Sequence, residues 1–233
     1  MENLPLIAEY IHHALEARTQ ARDHALAQAR YVIRNAAQAI RAIHRDDRDT
    51  AHAQLGLARA LVRALQADLG LYPELYYAGY TQDAIKEFVE ASITCAIIES
   101  QPLPTLDELQ VEPATYLNGL AEAMGELRRK CLDILRAGYS DEAERLLNAM
   151  DEIYAILVTM DYPDAVTNGL RRQTDVFRGV LERTRGDITI SLREQHLEQA
   201  MQAFMARIGG SEMPSSNPVH LHEDGTHADS ASL

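Results

Sequence analysis

The chain has 233 residues, 46% of them hydrophobic and 24% charged, which is the composition of one globular domain and excludes a fibrous or wholly disordered chain. Its formal net charge of −13 excludes a surface that is basic all over, because phosphate binding needs positive charge, and confines any nucleic-acid contact to a local face. No apolar run approaches the roughly 20 residues needed to cross a bilayer. The N-terminus also lacks the basic start and small-residue cleavage site of a signal peptide, so a cytoplasmic protein is expected.

Leu4 to about His44 reads as one long helix, without internal Gly or Pro and rich in Ala, Gln and Arg. Asp46, Asp47 and Asp49 break it and offer N-caps for a second helix from about Thr50 to Leu69, which Gly70 ends. Residues 71–80 (LYPELYYAGY) form a turn with room for a short helix and hold four of the ten tyrosines. Thr81 opens a helix to about Ser100, where PLP stops it, and Thr105 to Leu109 makes one short turn. Pro113 suits the first position of a helix ending near Gly138, and Ser140 caps another reaching about Met160. A last long helix is expected from Pro163 to about Ile208, with an interruption near Gly186. Residues 209–233 are polar and rich in turn formers, and are expected to be a disordered tail. With no alternating strand pattern, the expected fold is an all-α bundle of six to seven helices over residues 1–208.

Two helices carry carboxylates in unusual places. The helix around 81–100 is apolar or small on nearly every side from Ala91 to Ile98, which predicts burial, and Glu87 and Glu90 project from one face of it. Cys95, on this helix, and Cys131, on the helix from Pro113, fall in apolar patterns without metal or redox spacing, where thiols act as small hydrophobes. The helix from Pro113 shows an apolar stripe of Leu117, Leu120, Met124, Leu127, Cys131 and Ile134. At about 100° per residue, Glu122 and Glu126 lie opposite this stripe, with Gly119 and Arg129 beside them. Spacing alone leaves two readings open: a solvated face with a surface pair between Glu126 and Arg129, or the paired carboxylates with which helical bundles build metal sites. No Glu-x-x-His occurs, so a ferritin-like di-iron centre is not expected, and oxygen-only ligands favour Mg²⁺ or Mn²⁺.

Residues 116–139 (YLNGLAEAMGELRRKCLDILRAGY) resemble the translin family, matching its pattern at Tyr116, Leu117, Gly119, Glu126, Leu127 and Arg129. PELYYAGY (73–80) is similar to the family's Tyr-Tyr segment, EFVEAS (87–92) to the Glu-Tyr-Val-Glu-Ala segment of translin-associated factor X, and RTRGD (183–187) to the Arg-Gly of the last helix. The resemblance implies a translin-like bundle with long first and last helices. It also implies a metal-dependent endoribonuclease whose four acids are Glu87, Glu90, Glu122 and Glu126, with Mg²⁺ (or Mn²⁺) as cofactor. Glu122 departs from the family pattern, which has Asp there, and the longer side chain moves a ligand by about a bond length.

For RNA, single-stranded or a short duplex, and also for single-stranded DNA, the candidate contacts are Arg129 and a stripe of Arg30, Arg34, Arg41 and Arg45 on the first helix. These four fall within roughly 60° of one another. With Glu9, Glu16 and Asp23 on the same helix, the stripe also reads as a solvated mixed face. Tyr72, Tyr76, Tyr77 and Tyr80 are candidates for base stacking, although packed tyrosines with hydrogen-bonded hydroxyls are the commoner case. The resemblance further implies a homo-oligomer, an octameric shell enclosing RNA. Two other functions compete: a non-catalytic translin-like shell that binds RNA or single-stranded DNA, and an all-α nucleotide pyrophosphohydrolase.

Overall fold

The computed structural model describes residues 3–209, which are helical with connecting turns and contain no strand. Among these residues six long helices make the architecture: α1 (Leu4–His44), α2 (Arg48–Asp68), α4 (Gly79–Ile98), α6 (Pro113–Leu135), α7 (Asp141–Leu157) and α9 (Leu170–Gly209). Three single turns join them: α3 (Pro73–Tyr76), α5 (Leu106–Leu109) and α8 (Asp164–Thr167). The tail expected from 209 onward lies, beyond Gly209 itself, outside the described residues. No helix among the described residues is long and apolar enough to cross a membrane.

Residues up to Arg193 form one compact unit. α1 spans about 60 Å at 1.5 Å per residue, and it buries only its second half. There Ala25, Ala29, Val32, Ala36, Ala39, Ile40 and Ile43 recur every three or four residues and pack on α2 and α4. Alanines in this stripe let the neighbouring helices approach closely. The first half of α1 is exposed, including Leu4, Ile7, Ile11 and Leu15, which share one side of the helix.

α4 is the central element, packed against α1, α2, α6 and α7. Every residue from Ala91 to Ile98 is buried, as its apolar composition predicts. Its last carbonyls are satisfied in part by Arg145 of α7, whose guanidinium donates to the Ile97 oxygen at 2.9 Å. The Cys95 and Cys131 thiols are buried, and burial pushes both up to about 12, so they serve as apolar filling.

The helix starts follow local chemistry. The Asp47 carboxylate accepts from the Thr50 amide, Thr105 and Glu108 form a reciprocal capping box, and the Ser140 hydroxyl accepts from the Glu142 amide. Two expectations about the last helix are corrected. The chain breaks at Asn168 and Gly169, both at positive φ (53° and 82°), so Pro163 precedes a single turn and the long helix starts at Leu170. α9 then runs through Gly186 without interruption. A helical glycine costs only about 1 kcal/mol, and buried Thr184 and Ile188 with the Arg185–Asp151 ion pair hold the helix on either side.

From Glu194 the last turns of α9 form a second unit. Leu197, Met201, Phe204 and Ile208 are exposed on it at spacings of four, three and four residues.

Candidate metal centre and nucleic-acid face

Gly119 decides how closely α4 and α6 meet. A Cβ there would lie 2.7 Å from Val89 Cγ1 and 3.1 Å from the Glu90 amide nitrogen, so only hydrogen fits. This contact turns the acid face of α6 onto α4. Asp83, Lys86, Glu87 and Glu90 occupy one face of α4 at i, i+3, i+4 and i+7, opposite Glu122 and Glu126. One carboxylate oxygen from each of Glu87, Glu90 and Glu122 lies within 4.8 Å of the others. The side of α6 opposite its apolar stripe is therefore a half-buried cleft against α4 rather than a solvated face.

Glu126, the fourth expected acid, faces a different partner. Its Oε2 is 2.6 Å from Nε2 of His44, near the end of α1, and 3.5 Å from the Arg129 guanidinium. His44, Lys86 and Gln173, which no motif or spacing marks, complete the surroundings of these acids. Lys86 donates from Nζ to Glu122 Oε1 at 2.7 Å and lies 3.9 Å from Glu87, while Gln173 of α9 donates to the same Glu122 oxygen at 3.0 Å.

These surroundings push the acids apart. Burial raises Glu90 to about 8, with repulsion from Glu87, Glu122 and Glu126 adding to it and Lys86 opposing it. Glu87 is raised too, chiefly by burial, against the pull of Lys86. Glu126 is lowered, first by the hydrogen bond to His44, which outweighs its burial. Burial works against the Lys86 charge, but the hydrogen bond to Glu122 and the attraction of Glu122, Glu87 and Asp83 prevail and raise it. The cleft thus concentrates negative charge that one ammonium only partly balances. Three converging oxygen donors of this kind fit a hard divalent cation.

The expected nucleic-acid contacts lie on exposed surface in part. Arg30, Arg34, Arg41 and Arg45 are all exposed along α1, and the His44–Glu126 bond joins the end of that helix to the acid cleft. Arg129 is half-exposed beside Glu126. Tyr77 is exposed, its hydroxyl 3.3 Å from Glu112 and its ring edge-on to Tyr76. Tyr72, Tyr76 and Tyr80 pack against the core, and the Tyr80 hydroxyl is enclosed.

No family model matches the chain. It is 34% identical to AfC3PO, both alone and in complex with duplex RNA. The matches cover 80% of this chain and 97% of that one, at TM-scores of 0.74 and 0.76. NeC3PO without ligand has the same fold, at a TM-score of 0.72 and 20% identity over 81% of this chain and 98% of that one. The uncharacterized protein MJ0175 of Methanocaldococcus jannaschii is 32% identical over 195 residues, 83% of this chain and 86% of the relative. The chain belongs to the translin family and shares the all-helical fold of these C3PO structures.

Proposed function

We propose that this protein is a metal-dependent endoribonuclease of the catalytic, translin-associated factor X-like branch, acting within a homo-oligomeric, octameric shell. The convergence of Glu87, Glu90 and Glu122 across the α4–α6 contact carries this reading. These three would hold Mg²⁺ or Mn²⁺, with Glu126 beside them. Such an ion, when bound, polarises phosphoryl oxygens and acidifies water.

The chain's own residues supply the remainder. The Glu90 carboxyl is the one whose surroundings hold a proton near neutral pH, so a cation entering the cleft would displace that proton, and a Glu90 oxygen left free by the cation would accept the proton of attacking water. Glu126 stays ionised through its bond to His44. Arg129 and the α1 arginines orient phosphates toward the cleft, and Tyr77 offers an exposed ring for an unpaired base. RNA binding is supported by the likeness to AfC3PO, which forms a complex with duplex RNA. The exposed apolar stripe of Leu4, Ile7, Ile11 and Leu15 suits contact with another subunit.

Lys86 favours a second reading. Because it already places an ammonium among the acids, the cleft can persist without a metal, as in a non-catalytic shell that binds RNA or single-stranded DNA. Incubating labelled single-stranded and duplex RNA with the purified protein in Mg²⁺, Mn²⁺ or EDTA separates the two, with Glu87→Gln and Glu126→Ala alongside. Cleavage that needs the metal and is lost in Glu87→Gln supports the nuclease. RNA bound but uncut in every condition supports the shell. Hydrolysis of nucleoside triphosphates with RNA left intact would replace both with a pyrophosphohydrolase.

A further inference from the structure

We infer that His44 is a positioning residue for the acid cleft, fixing the Glu126 carboxylate by a hydrogen bond from Nε2 beside the three converging carboxylates. This rests on the metal-dependent reading above. The His44 side chain is only 4% exposed and reaches from α1 to an acid 82 positions away, at 2.6 Å. Its other nitrogen, Nδ1, is enclosed without a hydrogen-bond partner among the described residues. A buried polar atom left unpaired is uncommon and costly. Among the described residues the polar contact that orients the ring is the one to Glu126. Both contacts of Glu126, from His44 and from Arg129, fall on Oε2, which leaves Oε1 available. Arg129 is half-exposed and more distant, so the imidazole fixes the carboxylate.

An outer partner that fixes a carboxylate at a metal site is typically worth tenfold to a hundredfold in metal affinity or activity. The test is Mn²⁺ affinity, read by the electron paramagnetic resonance of free Mn²⁺, for the unmodified chain and for His44→Leu, His44→Asn and His44→Gln. The Gln amide reaches where Nε2 lies, the Asn amide falls one methylene short, and Leu has no donor. The expected result is about tenfold weaker binding for Leu and Asn, with Gln within roughly threefold of the unmodified chain. Thermal transitions in EDTA should be close to unmodified for Asn and Gln, which separates positioning from a general packing role. If the Leu variant does not fold, the Asn–Gln pair decides. Folded Leu or Asn variants that bind Mn²⁺ like the unmodified chain would overturn the role of His44 alone, as would a Gln variant as weak as Asn. No Mn²⁺ binding by the unmodified chain would overturn the metal reading and this role with it.

Discussion

Gly119 on α6 sits directly against Val89 on α4, with no room for a methyl group between them. Alanine there gains up to about 1 kcal/mol of helix propensity, but overpacking a rigid helix contact costs about 1–3 kcal/mol. Gly119→Ala should therefore lower the melting temperature by several degrees and weaken Mn²⁺ binding, because the two acid-bearing helices are pushed apart. Gly125→Ala is the control on the same helix. Its Cβ would meet only Phe177 Cε1 at an ordinary 3.7 Å, so it should be neutral or stabilising. Calorimetry of both variants checks the pair, and equal stability of the two would sink the argument.

Glu90 makes stability depend on pH in a defined direction. The unfolded carboxyl ionises near its ordinary value of 4.5, whereas the folded one holds its proton up to about 8. Between these values the folded chain binds more protons than the unfolded one, so stability contributed by this group falls as pH rises through that window. Without divalent metal, the unmodified protein should lose more melting temperature between about pH 5 and pH 8 than Glu90→Gln does. Glu90→Gln should also melt higher at the alkaline end. Parallel melting curves for the two proteins would refute the raised carboxyl.

Much of this fold was legible because its helices obey their own sequences. α1 runs from Leu4 to His44 as expected, since nothing inside it breaks a helix and Asp46, at φ 59°, ends it. The break at Asn168–Gly169 was passed over, although an Asn-Gly pair is a strong turn signal; the nearby Pro163 drew the helix start to itself. The acids were legible by spacing and resemblance, but their setting was not. Periodicity placed Glu122 and Glu126 opposite the apolar stripe of α6, and nothing within α6 says that α4 covers that side. His44 carried no local signal at all, because its partner is 82 positions away and eight other histidines compete for notice.

Lys86 sets up an effect of opposite sign to that of the acids. Its ammonium bonds Glu122 and lies near Glu87, so it balances the cleft when no ion is present and repels an ion that enters. Lys86→Met should lower stability in EDTA and tighten Mn²⁺ binding by about tenfold, a modest share of the Coulomb energy of close charges in a half-buried site. Isothermal titration with Mn²⁺ measures this. Weaker binding in the variant would mean that Lys86 supports the site rather than competing for it.

The α1 arginines should reveal themselves through salt. Each phosphate contact on a single strand contributes a slope of about −0.7 to the logarithm of affinity against the logarithm of salt concentration. If Arg34 and Arg41, both exposed on the stripe leading to the cleft, each hold one phosphate, Arg34→Ala with Arg41→Ala should flatten that slope by roughly 1.4. Affinity at low salt should fall for every RNA sequence alike, because phosphates carry no base information. Arg18→Ala serves as the comparison on the same helix, since its guanidinium is already paired with Glu74 at 2.8 Å. Fluorescence anisotropy with a short labelled RNA in EDTA, across a salt series, isolates binding from cleavage. A slope unchanged in the double variant would move the RNA off α1 while leaving the acid cleft untouched.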